Sequence, residues 1–243
     1  MQFHGRGILL DIEGTTSSIR FVYEVLFPFA RRKLESFVRE HWGEPALMSA
    51  ADQVAKDLGH DSLTVWAGED TSVENMQRLL IDEALRLMDG DAKATGLKQL
   101  QGVIWEQGFV SGELRAHVYD DVPPALEAWN AAGIDVRIYS SGSVHAQHLF
   151  FGHTEHGDLL RLLRGHYDTT TGNKREATSY LKIAVEFGLP PGEILFFSDV
   201  PAELDAARSA GMQTVLVERP GNAAPGEQSH PMIRNFGEIE LIR

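Results

Sequence analysis

Gly7-Ile8-Leu9-Leu10-Asp11-Ile12-Glu13-Gly14-Thr15-Thr16 is the stretch that decides the fold of this 243-residue chain. It has the pattern of a short apolar strand that ends in two acids, a glycine and two hydroxyl residues. Burial of the strand leaves Asp11 and Glu13 where the strand emerges from the core, and a carboxylate there is costly unless a cation meets it. Because ligands bind at the carboxyl ends of strands in open α/β sheets, the stretch predicts a site with a positive partner.

The second half of the chain alternates strand and helix patterns. Apolar runs lie at 136–139, 194–197 and 214–217, with helical patterns between them. Strands that alternate with helices predict βαβ units and a mostly parallel sheet. The right-handed crossovers of such units put the carboxyl ends of the parallel strands on one edge. The predicted fold class is therefore α/β.

Residues 21–117 have a different character, with several amphipathic helical patterns and hardly any strand pattern. Apolar residues recur at helical spacing over 29–42, 46–58 and from 73 onward, where Ser72 is a suitable N-cap. The segment predicts an all-helical insert. The chain is therefore expected to form two domains, one from 1–20 and 118–243 and the other from 21–117.

Composition excludes some classes of partner. The chain has 22 Lys and Arg against 35 Asp and Glu, a formal charge of −13, and so acidic a protein does not suit nucleic acid. A small phosphorylated substrate needs only a local positive site and stays open. There is no run of the ~20 apolar residues that span a membrane and no secretory signal pattern. With no cysteine for disulfides, we expect a cytoplasmic protein. We also expect a monomer, because no amphipathic stripe lacks a core to join.

Polar residues follow three of the predicted strands, and a lysine at the start of a helix lies near the same edge. These residues are Asp11, Glu13, Ser140, Ser141, Lys174, Ser198 and Asp199. Two carboxylates in a site with oxygen ligands alone suit Mg²⁺, which binds through one or two acids and keeps several waters. The hydroxyls and the lysine then remain to hold a phosphate.

This set of residues can carry out phosphoryl transfer. Asp11 has a metal ion and Lys174 to keep it ionised, so it can attack phosphorus as a nucleophile. Glu13 lies two residues further on, on the same side if the backbone stays extended. It could protonate the leaving oxygen and later take a proton from water.

The same residues resemble a known pattern. They look like the four signature motifs of the haloacid dehalogenase superfamily. The residues concerned are Asp11-Ile12-Glu13-Gly14-Thr15, Ser140, Lys174, and Ser198-Asp199 followed by Glu203. Most phosphatases of that superfamily have aspartate where this chain has Glu13. The Asp-Ile-Glu-Gly-Thr-Thr version resembles the acireductone-synthase family, the bifunctional enolase-phosphatases of methionine salvage. Because 97–102, 138–143 and 219–222 also look like that family, the resemblance covers nearly the whole chain.

The resemblance implies a Rossmann-like core with an α-helical cap domain inserted after the first strand. It implies one Mg²⁺ per chain and a small phosphorylated diketone as substrate, 2,3-diketo-5-methylthiopentyl 1-phosphate. The enzyme would first enolise this diketone. It would then remove the phosphate to give the acireductone, 1,2-dihydroxy-3-keto-5-methylthiopentene.

The resemblance also implies a role for each motif residue. Asp11 would be the nucleophile and a metal ligand, and Asp199 would be the second carboxylate ligand. Glu13 would offer its backbone carbonyl to the metal and its side chain as acid or base. The remaining roles are phosphate binding by Ser140 and Ser141, neutralisation of the phosphate by Lys174, and orientation of the site by Glu203.

Several alternatives stay open. The base for the enolisation is Glu13 or a residue of the insert. A phosphatase for another small phosphoester fits the same core, and so does a catalytically silent binding module. A dehalogenase fits the fold but would leave Glu13 and Asp199 without a role.

Overall fold

The computed structural model describes residues 1–224, 226 and 228–242. The chain folds as two compact units, one formed by residues 1–21 together with those from 115 onward, and the other by Val22–Leu114. The first unit is built from strands and helices, and the second is helical. None of the helices described combines the length and the apolar character needed to cross a membrane.

The strands all belong to the first unit of the described chain. They are β1 (Gln2–Phe3), β2 (Gly7–Leu10), β3 (Asp135–Tyr139), β4 (Gly165–Tyr167), β5 (Ile194–Ser198), β6 (Gln213–Val217), β7 (Met232–Ile233) and β8 (Glu240–Leu241). The main sheet has the order β4-β3-β2-β5-β6-β7, and β1 pairs with β8 separately. Every pair of neighbouring strands is parallel. The sequence-based prediction of a parallel α/β sheet is therefore confirmed.

The helices divide between the two units. The second unit contains α1 (Phe27–Glu40), α2 (Pro45–Asp57), α3 (Leu63–Ala67), α4 (Val73–Asp89) and α5 (Thr95–Ser111), and the first contains α6 (Val122–Ala131), α7 (Val144–Gly152), α8 (Ala177–Phe187) and α9 (Pro201–Ser209). A π-helical segment, Phe21–Leu26, leads into α1. Ser72 caps α4 as predicted, since its hydroxyl accepts a hydrogen bond from the backbone N–H of Asn75.

The core of the first unit lies on both faces of the main sheet. Successive residues of a strand point to opposite faces, and β5 uses this alternation. Phe196 packs against Tyr180 of α8, with 5.1 Å between ring centroids. Phe197 packs against Trp129 of α6 on the other face, at 5.7 Å. Both strand residues are fully buried, so the sheet is held between two helical layers.

The core of the second unit is formed by the apolar faces of its helices. Each of the five helices contributes a buried leucine, and these include Leu34, Leu47, Leu63, Leu80 and Leu100. At Gly96 an added Cβ would overlap the backbone of Val54. The glycine therefore allows α5 to approach α2 closely.

Candidate active site

The carboxyl ends of β2, β3 and β5 meet at one edge of the sheet. Leu10, the last residue of β2, lies opposite Ile138 of β3 and Phe197 of β5. The amide of Asp11 donates a 3.0 Å hydrogen bond to the carbonyl of Phe197. The polar residues that follow these strands are therefore neighbours, as the crossover argument predicted.

Lys174 is the cation that meets Asp11. Its Nζ lies 2.7 Å from Asp11 Oδ1 and 2.6 Å from Glu203 Oε2. The lysine is buried, and its own carbonyl accepts a 2.7 Å hydrogen bond from the hydroxyl of Tyr180 in α8. The segment that carries Lys174 is thus tied to the core beneath the site.

Ser198 joins the same network from the end of β5. Its Oγ lies 3.1 Å from Glu203 Oε2 and 3.4 Å from Asp11 Oδ2. The hydroxyl also accepts a 3.1 Å hydrogen bond from the amide of Val200. Since one hydroxyl proton serves both carboxylates, Ser198 fixes the two acids relative to each other.

Ser140 and Ser141, which the sequence suggests as phosphate ligands, differ in their surroundings. Ser140 is fully buried, and its Oγ donates a 3.3 Å hydrogen bond to Glu13 Oε2. The same Oγ accepts a 3.1 Å hydrogen bond from the amide of Gly142. Ser141 is exposed. The structure therefore brings Ser140 to Glu13 and leaves Ser141 open to solvent.

Asp199 lies against the turn that follows Asp11. Gly14 of that turn has a φ of 74°, and an added Cβ there would overlap the carboxylate of Asp199. Only a glycine lets the turn and the carboxylate come so close. Sequence reasoning assigned no role to Gly14, although its place between an acid and two hydroxyl residues was visible.

We call Asp11, Glu13, Lys174, Asp199 and Glu203 the strand-end cluster. Burial, and then the charge of Asp11, raise the pKa of Asp199 and the pKa of Glu203, each to about 7. The same causes raise the pKa of Glu13. Burial alone would lower the pKa of Lys174, but the charges of Asp11 and Glu203 outweigh it and raise that pKa. The cluster carries more negative than positive charge.

The donor set of this site fits a hydrated Mg²⁺. Carboxylate oxygens are the ligands it prefers, and it keeps several waters of its own. Two further buried oxygens next to the turn, Thr15 Oγ1 and Asn222 Oδ1, have no hydrogen-bond partner among the described residues. No group of three or more His, Cys, Asp or Glu side chains in the described ranges has the spacing of a metal site. The fit is thus to an ion held by two carboxylates and water.

Two residues beside the site had no assigned role in the sequence reasoning. Asn222 Nδ2 donates a 2.8 Å hydrogen bond to the carbonyl of Gly14, and Arg219 Nε donates one of 2.9 Å to the carbonyl of Thr15. The segment Arg219-Pro220-Gly221-Asn222 was part of the family-like pattern. A sequence does not reveal which carbonyl a side chain will reach 204 residues away.

The fold and this cluster define a class of protein. Residues 6–211 match a family model described as haloacid dehalogenase-like hydrolase. The match covers most of the chain and includes every residue of the strand-end cluster. The chain belongs to the haloacid dehalogenase-like hydrolases, whose members generally use Mg²⁺.

Proteins of similar sequence show which family within this superfamily the chain belongs to. Enolase-phosphatase E1 of Sorangium cellulosum (strain So ce56) is 47% identical over 96% of this chain and 97% of its own length. That of Pseudomonas aeruginosa (strain UCBPP-PA14) gives the same figures, and that of Synechococcus elongatus is 46% identical over 96% of both chains. Within its superfamily, the chain belongs to the enolase-phosphatase E1 family, as the motif resemblance predicted.

Two solved structures are similar to this chain in fold. The crystal structure of the UTR4 protein of Saccharomyces cerevisiae has a TM-score of 0.78 and 34% identity, covering 96% of this chain and 99% of that one. CbbY from Rhodobacter sphaeroides in complex with phosphate has a TM-score of 0.56 and 15% identity, covering 96% of each chain. This second likeness concerns the fold alone.

Proposed function

We propose that this chain is a Mg²⁺-dependent enolase-phosphatase that converts 2,3-diketo-5-methylthiopentyl 1-phosphate to the acireductone 1,2-dihydroxy-3-keto-5-methylthiopentene. The observation that carries the proposal is the environment of Asp11. It is a buried carboxylate at the end of β2, 2.7 Å from Lys174, in a chain of the enolase-phosphatase E1 family.

Asp11 is the nucleophile in this proposal. One of its carboxylate oxygens attacks the phosphorus, the bond from phosphorus to the substrate oxygen breaks, and an aspartyl phosphate forms. Glu13 gives a proton to the departing oxygen and then takes one from the water that attacks the aspartyl phosphate. Phosphate leaves, and the carboxylate of Asp11 is restored.

Neutralisation of charge is a main demand of phosphoryl transfer. Lys174 supplies a positive charge beside the attacking carboxylate, and Ser140 and Ser141 are the proposed phosphate ligands. Asp11, Asp199 and the backbone carbonyl of Glu13 would hold Mg²⁺. When bound there, the ion supplies Lewis-acid polarisation of substrate oxygens and further positive charge. Glu203 keeps Lys174 in place through its 2.6 Å ion pair.

The enolisation removes a proton from a carbon next to a carbonyl, and we assign Glu13 as the base. Burial and the charge of Asp11 raise its pKa, which makes its carboxylate a stronger base than an ordinary glutamate. The electron pair of the C–H bond moves to the carbonyl oxygen, which becomes an enolate. The proton that Glu13 keeps is then available for the leaving oxygen of the second half-reaction. One carboxyl therefore serves both steps.

The two units have separate roles in this proposal. The first carries all of the residues named above, and the second, Val22–Leu114, is the proposed helical cap domain. The working protein is a monomer, which light scattering in solution would check.

The experiment is an assay of the purified protein with the diketone phosphate and with a panel of sugar phosphates, each with and without Mg²⁺. Ultraviolet absorbance reports the enol, and a coupled assay reports phosphate. We expect turnover of the diketone phosphate with Mg²⁺ and much slower release from the sugar phosphates. Equal rates across the panel would replace the substrate assignment with a general small-molecule phosphatase. A lack of Mg²⁺-dependent phosphate release from every compound would overturn the proposal.

A further inference from the structure

The turn over 12–17 links the acids of the site. The carbonyl of Ile12 accepts hydrogen bonds of 3.2, 3.0 and 2.9 Å from the amides of Thr15, Thr16 and Ser17, and the amide of Gly14 donates one of 2.8 Å to the carbonyl of Ser17. The turn is therefore closed on itself by four backbone hydrogen bonds. It carries Glu13, and Gly14 lies against the carboxylate of Asp199.

Three successive carbonyls of this turn accept hydrogen bonds from residues outside the turn. The carbonyl of Gly14 accepts a 2.8 Å hydrogen bond from Asn222 Nδ2, and that of Thr15 accepts a 2.9 Å hydrogen bond from Arg219 Nε. The carbonyl of Thr16 accepts a 3.1 Å hydrogen bond from the amide of Tyr119. These donors fix how far the turn stands from Asp199.

Arg219 is itself fixed on several sides. Its Nη1 and Nη2 lie 2.8 and 3.0 Å from the two carboxylate oxygens of Asp121, and Nη1 also donates to the carbonyl of Arg234 at 3.0 Å. Its guanidinium carbon lies 4.4 Å from the ring centroid of Tyr119 and 4.7 Å from that of Phe236. With 5% exposure, Arg219 has essentially one available position.

We propose that Arg219 and Asn222 are positioning residues of the site, which act through the backbone of Gly14 and Thr15 to set the gap between Asp11 and Asp199. We call these two side chains the turn clamp. The inference rests on the proposed function, since that function gives the gap its importance.

The test is Asn222→Ala, which removes one clamp bond and leaves the buried guanidinium in place. Loss of a residue that orients metal ligands typically costs about 10-fold to 100-fold in metal affinity or activity. We therefore expect weaker Mg²⁺ binding by calorimetry and a lower kcat, each by about 10-fold or more, with KM for the diketone phosphate little changed. Asn222→Gln keeps the amide and should recover part of both losses.

The matched control is Asn130→Ala. Asn130 is also half-buried, and its Nδ2 donates to the carbonyls of Leu126 and Leu162 at 3.0 and 2.8 Å, away from the cluster. This variant should lose thermal stability and keep the Mg²⁺ affinity and kcat of the parent. If Asn222→Ala behaves in the same way, the clamp is only structural and the inference is wrong. A parent protein that binds Mg²⁺ without releasing phosphate would overturn the proposed function alone, because the calorimetric comparison would still decide the inference.

Discussion

The strand-end cluster and the Arg219–Asp121 pair are both buried groups of charges, and they are built differently. In the pair, one guanidinium meets one carboxylate through two hydrogen bonds, and its other hydrogen bonds go to backbone carbonyls. In the cluster, one ammonium group stands against four carboxyl groups and contacts two of them. The pKa values of Asp199 and Glu203 rise to about 7. A balanced pair fixes geometry, whereas a cluster with excess negative charge attracts a cation. The imbalance of charge, rather than its burial, distinguishes the candidate active site from the structural pair.

The largest expected effect comes from Asp11→Asn, which tests the catalytic side of this comparison. Phosphate release from the diketone phosphate should fall by at least about 10³-fold, because the variant lacks the nucleophile. The melting temperature should stay equal or rise, since the substitution removes one of the crowded negative charges. Turnover at the rate of the parent protein would contradict the assignment of the nucleophile.

Glu13→Gln tests whether one carboxyl serves both half-reactions. The amide cannot take or give a proton at this position, so both enol formation and phosphate release should slow by about 10²-fold to 10⁴-fold. Stopped-flow absorbance and a phosphate assay follow the two steps separately. If the enol forms at the parent rate while phosphate release slows, another residue is the base for the enolisation.

Asp121→Asn tests the structural side of the comparison. Breaking a buried ion pair usually costs about 3–5 kcal/mol, so the free energy of unfolding in urea should fall by roughly that amount. The matched control is Glu127→Gln, in the exposed pair with Arg161 at 3.1 Å, where a loss below about 1 kcal/mol is expected. Equal losses in the two variants would show that Arg219 is not held by its partner.

A smaller effect is expected on stability, which should depend on pH and on Mg²⁺. Asp199 and Glu203 have raised folded-state pKa values near 7, so the folded state binds more protons than the unfolded state between their ordinary values and that pH. Stability should therefore fall as the pH rises from about 5 to about 8 in metal-free protein. Mg²⁺ should raise the melting temperature most at the higher pH.

The control for this effect is Asp199→Asn, measured by thermal unfolding under the same conditions. With one of the two titrating acids removed, the decline between about pH 5 and about pH 8 should be shallower. The response to Mg²⁺ should also be smaller. A melting temperature that does not depend on Mg²⁺ at the higher pH would contradict the view of the cluster as a cation site.

The sequence predicts much of this architecture because strand ends are visible in it. Apolar runs that stop at Asp11, Ser140 and Ser198 predict strands, and parallel pairing then predicts that their ends meet. The strand order does not follow from the sequence, since it depends on how each crossover packs. The contact of Ser140 with Glu13 and the reach of Arg219 to Thr15 also could not be predicted, because local patterns carry no information on such distant pairs.

In the proposed reaction, Asp11 of the unbalanced cluster carries the phosphoryl group. The most direct test is a rapid acid quench of the protein with diketone phosphate labelled in its phosphoryl group, in the presence of Mg²⁺. We expect label to appear on the protein before free phosphate does. Hydroxylamine should release that label, as it does from an acyl phosphate, and Asp11→Asn should carry none. Free phosphate that forms with no labelled protein at any time, or label of equal amount on Asp11→Asn, would contradict it.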